Sequence, residues 1–255
     1  MDRVNPVVAS VGTMHPLNVA GIGLDARIAA ILQVRIVSVV AGITAQDARR
    51  VIKRTPVDAA TIAAQFQALR DARIGAFHVG ALLDAAGVRA VARGLHDFPT
   101  VPVVCDPVIA ASGGDMLADG TAIAALRDDL FGCCTLVTPN LAEAAVFADV
   151  MPADVAAMER AAAILRARTG AAVLVKGGHL EGDAVDVLAD ADGTTSFRSR
   201  RIEADLRGTG DLLAFAISSR LAYGDDLRDA VAAARAFVRD QIIGGESFAG
   251  TRAAR

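Results

Sequence analysis

Short runs of β-branched and aliphatic residues alternate with longer alanine-rich segments along most of this chain, and few folds accept that rhythm. Val7–Val11, Ile36–Ile43, Ile74–Val79, Val101–Asp106, Thr135–Thr138 and Val173–Lys176 have strand length and composition. Helical spacing occupies the intervals: Ala26–Leu32, Ala59–Ala72, Ala85–His96, Thr121–Leu130, Leu141–Ala148 and Val155–Arg168. Strand then helix, repeated, implies a mostly parallel sheet with helices on both faces. The apolar runs carry almost no polar residue, as strands covered on both faces require. The expected class is α/β, in three layers.

After Lys176 the rhythm changes. Ala184–Leu188 and Thr194–Arg200, joined by Asp192-Gly193, predict a hairpin. Two closing helices are expected over Asp211–Leu221 and Leu227–Ile243. Neither a low-complexity linker nor an internal repeat divides the 255 residues, so 1–246 is read as one domain and 247–255 as a short fraying tail. The longest uncharged stretch, Val4–Leu24, contains Asn5, His15, Asn18, two prolines and several glycines. It reads as a strand and a loop rather than a membrane span or a secretory signal.

A net charge of −3 and a pI of about 5.8 offer nucleic acid no bulk attraction. Three cysteines, two of them adjacent, cannot form a disulfide framework, which points to a reducing compartment, the cytoplasm. Four histidines lack zinc-type spacing. Neither nucleic acid nor a membrane is an expected partner.

Open parallel sheets bind ligands beyond the carboxyl ends of their strands. There the sequence places Gly12-Thr13, Gly42 to Gln46, Gly80, Asp106-Pro107, Thr138-Pro139-Asn140 and Lys176-Gly177-Gly178. The most informative string is Gly208-Thr209-Gly210-Asp211, just before an apolar helix. Glycine amides at a helix start can hold an anion, and an aspartate in the first turn can take a proton from a hydroxyl. Taken alone, the string favours the simpler reading in which Thr209 or Asp211 caps the helix. Asn140 and Glu143 have the spacing of a capping box, and equally suit phosphate and a hydrated Mg²⁺. Lys176 either ends its strand by snorkelling or reaches a phosphate. His179 reads as a loop histidine.

With these pieces in order, the chain resembles the ribokinase-like superfamily, and within it the hydroxymethylpyrimidine/phosphomethylpyrimidine kinases. The resemblance is carried by Ala20-Gly21-Ile22 with Asp25, Ala45-Gln46, Val79-Gly80, Asp106-Pro107-Val108 with Ser112-Gly113, Thr138-Pro139-Asn140 with Glu143-Ala144, Val175 to His179, and Gly208-Thr209-Gly210. It spans about Asn5 to Ile243. It implies a homodimeric, ATP- and Mg²⁺-dependent kinase of a small heteroaromatic alcohol, with Asp211 as catalytic base. Gly208, Thr209 and Gly210 are then the anion hole. Gln46, Gly12, Ala20, Gly80 and Val108 border the acceptor, Asn140, Lys176, Gly177 and Thr209 hold ATP, and Glu143 and Asp106 serve the metal.

Three departures stand out. The family loop Asp-Pro-Ser-Gly-Gly-Ala-Gly is here Met14-His15-Pro16-Leu17-Asn18-Val19-Ala20-Gly21. Ala81 replaces the methionine common after the third-strand glycine. Asp211 stands where this branch usually carries cysteine, as it does in pyridoxal kinases and ribokinases. A pyridoxal or pyridoxine kinase is therefore the nearest rival, and a catalytically inactive pyrimidine sensor is another. A nicotinamide oxidoreductase fits poorly, because Gly12 to Gly23 lacks its glycine spacing.

Overall fold

The computed structural model describes residues 5–47, 50–178, 180, 182–202 and 208–244; His179 and the expected tail 247–255 lie outside them. Its strands are β1 (Val7–Met14), β2 (Arg35–Gln46), β3 (Val51–Pro56), β4 (Ile74–Val79), β5 (Val103–Cys105), β6 (Leu136–Val137), β7 (Ala172–Gly177), β8 (Ala184–Asp190) and β9 (Gly193–Ser199). The helices are α1 (Gly21–Ile31), α2 (Ala59–Ala68), α3 (Ala85–Leu95), α4 (Gly120–Ala125), α5 (Leu141–Ala148), α6 (Val155–Thr169), α7 (Thr209–Ala222) and α8 (Leu227–Ile243).

The strands form one sheet in the order β3-β2-β1-β4-β5-β6-β7-β8-β9. Pairing is parallel from β2 through β7 and antiparallel at β2/β3, β7/β8 and β8/β9. Alternation along each strand divides the core between two faces. Ala9, Val11, Phe77, Val79, Val103, Cys105, Val173 and Val175 meet residues of α2, α3, α5 and α6. Val8, Val104, Leu136, Leu174 and Leu188 face α1, α7 and α8. This is the expected three-layer α/β architecture. No helix among the described residues is long and apolar enough to cross a membrane.

The structure departs from the sequence reading at four places. The second strand continues past Ile43 to Gln46 and turns back as β3, which the sequence did not predict. β3 is an edge strand exposed along nearly its whole length, so no buried face imposes apolar alternation on Val51–Pro56. The first helix begins at Gly21 rather than Ala26, because Gly21-Ile22-Gly23, which reads as a loop, forms its first turn. Thr121–Leu130 is not one α-helix: α4 ends at Ala125, and a π-turn over Leu126–Leu130 leads into a 3₁₀ turn, Phe131–Cys133. The wider turn aligns Leu126 with Phe131, and both are buried. The strands Val101–Asp106 and Thr135–Thr138 shrink to Val103–Cys105 and Leu136–Val137, since Asp106 and Thr138 already belong to the site.

Candidate active site

Val104, Leu136 and Leu174 point into the core beneath α7 and α8. Two residues on, the same alternation carries Asp106, Thr138 and Lys176 to that face at the mouth of the sheet. Lys176 Nζ donates to Asp106 Oδ1 at 2.6 Å, and Thr138 Oγ1 donates to the same oxygen at 3.2 Å. The pair is nearly enclosed, with 13% and 4% of the two side chains exposed. Burial opposes the lysine's charge, but Asp106 and then Glu143 outweigh it and raise Lys176 above its ordinary value.

The capping box read from the sequence is present at the start of α5. Asn140 accepts from the Glu143 N–H at 3.0 Å, and Glu143 Oε2 accepts from the Asn140 N–H at 2.8 Å. Capping does not withdraw these residues from the cluster, because Asn140 bridges to Lys176 in parallel register. Glu143 is buried, and burial pushes its carboxyl up to about 7 against the pull of Lys176.

α7 brings the glycine string onto this pair. Gly208 is its N-cap at φ 79°, and a Cβ there would meet the Val19 carbonyl at 2.6 Å. Only glycine fits both conditions. The first bond within the helix runs from Leu212 N–H to Gly208 C=O, so the amides of Thr209, Gly210 and Asp211 precede it. A Cβ on Gly210 would sit 3.0 Å from Lys176 Nζ and 3.4 Å from Asp106 Oδ2. The helix start, the lysine and the aspartate therefore converge on one spot.

No side chain caps α7, so the reading of Thr209 or Asp211 as a helix cap fails. Asp211 Oδ2 instead accepts the Gly21 N–H at 2.7 Å. Its Oδ1 lies 3.8 Å from where a Cβ on Gly80 would be. Burial raises the Asp211 carboxyl from 3.8 to about 6, with Asp106 and Asp25 adding to the rise and His78 and the Gly21 amide opposing it. Such a value suits a group that accepts a proton near neutral pH.

The remaining expected residues fall at different distances from this centre. Gly12 lies against Gly80 and Ala81, just past the last β1–β4 pair, Val11 with Val79. Ala20 precedes α1, and its backbone N–H and C=O each lie 3.1 Å from His15 Nε2. Val108 packs beside a small apolar cluster of Ala81, Leu83 and Leu117. Gly177 is explained by the sheet: a Cβ would collide with the Val185 carbonyl at 2.1 Å, and its N–H already bonds Asp186. Gln46 stands at the end of β2, opposite Val51 in the β2–β3 ladder that starts at Gly42. Sequence reasoning missed the Gly21 amide and His15. The Ala20-Gly21-Ile22 string was the available signal for Gly21, and the His15-Pro16 replacement in the loop before it for His15.

Among the described residues, no cluster of three or more His, Cys, Asp or Glu forms a metal cage. Asp106 and Glu143 nevertheless fit Mg²⁺, which takes one or two carboxylates and fills its shell with water and substrate phosphates. A buried carboxylate whose ionisation is opposed by burial is one that a dication would stabilise.

Comparison with known proteins gives the family and the fold. The family model described as phosphomethylpyrimidine kinase matches residues 16–252. A hydroxymethylpyrimidine/phosphomethylpyrimidine kinase of Rhizobium meliloti is 40% identical over 88% of this chain and 85% of its own length. The crystal structure of a Clostridium difficile phosphomethylpyrimidine kinase superposes with a TM-score of 0.83 at 25% identity, covering 94% of this chain and all of the other. An ADP complex of Bacillus subtilis pyridoxal kinase has the same TM-score at 27% identity, covering 92% of this chain and 90% of the other. The fold is ribokinase-like, and the chain belongs to the phosphomethylpyrimidine kinase family.

Proposed function

We propose that this kinase moves the γ-phosphoryl group of ATP onto the hydroxymethyl group of 4-amino-5-hydroxymethyl-2-methylpyrimidine, its phosphate, or both, in thiamine biosynthesis. The observation that carries the reading is the convergence of Asp211, the first-turn amides of α7 and the Lys176–Asp106 pair. Phosphoryl transfer asks mainly for positioning and charge neutralisation, and these groups supply both. Asp211, aimed by the Gly21 amide, accepts the acceptor's hydroxyl proton. The amides of Thr209 and Gly210, with Gly208 allowing the approach, hold the transferring oxygens. Lys176 offsets phosphate charge, with Asn140 and Gly177 lining the nucleotide side. Asp106 and Glu143 would hold Mg²⁺, which neutralises triphosphate charge when bound.

Gly12, Ala20, Gly80 and Val108 border the acceptor in this reading, and Gln46 reaches its edge from the β2–β3 flap. The protein acts as one kinase domain over 1–246, cytoplasmic and homodimeric. Exposed Ile43 and Ile52 on the flap support association, which sedimentation would measure.

A second reading, pyridoxal or pyridoxine as acceptor, is favoured by the carboxylate of Asp211 and by the small Ala81 at the acceptor side. ADP release with each of the four acceptors decides between them. Turnover of the pyrimidine or its phosphate at least tenfold above pyridoxal is expected. Preference for pyridoxal, or no turnover with any acceptor, would overturn the assignment.

A further inference from the structure

Beneath Asp211 lies a second polar layer that the steps above do not use. Ser10, Asp25 and His78 are each 1% exposed. Ser10 Oγ donates to Asp25 Oδ2 at 2.5 Å, and His78 Nδ1 meets the same oxygen at 2.7 Å. The His78 ring stands edge-on to Phe215, with centroids 5.8 Å apart.

Every member of this layer sits one structural repeat below a residue of the site. On β1, Ser10 precedes Gly12 by one pleat; on β4, His78 precedes Gly80 in the same way. On α1, Asp25 follows Gly21 by one turn, and on α7, Phe215 follows Asp211 by one turn. The upper layer holds the base, through the Gly21 amide and the close approach of Gly80. The lower layer ties β1, α1 and β4 together through a single carboxylate oxygen.

Local structure alone does not aim the Gly21 amide. No side chain caps α1, and Gly21 itself has φ 60° with a Cβ position 2.5 Å from the Thr13 carbonyl. The direction of that first turn then depends on what holds it at either end, His15 on Ala20 just before it and, one turn into the helix, Asp25 as its buried polar anchor. Stability is a weak reason for the trio, since an enclosed ion pair rarely improves on apolar side chains of the same volume. Asp25 Oδ1 and His78 Nε2 also have no hydrogen-bond partner, which a network serving only the fold would be expected to avoid.

We infer that Ser10, Asp25 and His78 form a buried positioning triad that acts on catalysis through Asp211, by fixing the first turn of α1 so that the Gly21 amide holds the base. The inference rests on Asp211 being the acceptor base.

The test is steady-state kinetics on the full chain with ATP and the pyrimidine, in wild-type and Asp211→Asn backgrounds. His78→Leu removes the donor to Asp25. His78→Asn keeps a donor in the place of Nδ1. His78→Leu should lower kcat about tenfold, with KM for ATP and acceptor unchanged within about twofold. His78→Asn should recover most of that loss. In the Asp211→Asn background, His78→Leu should cost nothing further. An equal fractional loss in both backgrounds, or a kcat unaffected by His78→Leu, overturns the triad's role. Should His78→Leu fail to fold, Ser10→Ala carries the same test with a smaller loss in the same direction, and full kcat would overturn the inference. Near-full activity of Asp211→Asn itself would instead refute the base, which separates the two failures.

Discussion

Replacing Asp211 with asparagine should make this protein more stable and almost inactive at once. The carboxyl is raised from 3.8 to about 6, burial being the main cause. A carboxyl whose folded value exceeds its unfolded value disfavours the folded state when ionised. That penalty is absent below about pH 4 and complete above about pH 6. At about 1.4 kcal/mol per pKa unit the full penalty is about 3 kcal/mol, and partial access to solvent at the site mouth reduces it to about 1–3 kcal/mol. Asparagine has the same shape, keeps an oxygen for the Gly21 N–H and carries no charge. Above pH 7 the variant should therefore melt several degrees higher, at about 2–4 °C per kcal/mol for a chain of this size. The advantage should shrink as pH falls towards 4. Loss of the general base should lower kcat by about 10²–10⁴-fold, with ATP affinity largely kept. Thermal unfolding across pH, alongside initial rates, measures both effects. A variant that melts no higher than wild type at pH 8 would refute the electrostatic account of the site, and one that turns over normally would refute the base.

Gly210→Ala should place a methyl group 3.0 Å from Lys176 Nζ, in the space assigned to the transferring oxygens. It should cut kcat by about 10²–10³-fold while thermal stability holds or rises, because alanine favours a helix by about 1 kcal/mol over glycine. Lys176→Met leaves buried Asp106 without its cation, so a loss of about 3–5 kcal/mol in urea unfolding is expected together with a raised KM for ATP. Wild-type kcat/KM should climb as pH rises through about 6, where Asp211 ionises, and then level off; a limb near pH 4 would contradict its raised carboxyl.

How much of this could be read from the sequence depended on whether a residue's place was set by alternation or by contact. Asp106, Thr138 and Lys176 each follow by two residues an apolar strand residue that fixes the face, so their convergence follows from parity once the sheet is parallel. The glycine string was equally readable, since φ 79° at Gly208 and the tight fit at Gly210 leave few other residues for those positions. What the string meant was not readable. A helix cap and a base have the same sequence, and the bond from Gly21, distant along the chain, shows only that Asp211 is engaged elsewhere than in capping α7. The β2–β3 flap escaped for a related reason. Exposed on the sheet edge, it has no core to write a pattern into Val51–Pro56, and its position depends on Asp115 accepting the Val51 N–H.

The same distinction explains where function can vary on this fold. The groups proposed to handle phosphate sit where strand parity and glycine geometry leave little freedom. The proposed acceptor side comprises Met14 to Ala20, Ala81, Val108 and the flap, where loop contacts decide the shape. A change such as methionine to Ala81, or one in the outer loop residues Met14 to Asn18, alters that shape, whereas Val19 and Ala20 of the same loop pack against Gly208 and lead into the Gly21 amide. Acceptor choice can therefore drift between heteroaromatic alcohols while the transfer chemistry stays fixed. On this argument, substitutions confined to Met14–Asn18 and Ala81 should change the ratio of pyrimidine to pyridoxal turnover far more than they change ATP affinity. Parallel loss of ATP affinity in such variants would show that the two sides of the site are not separable.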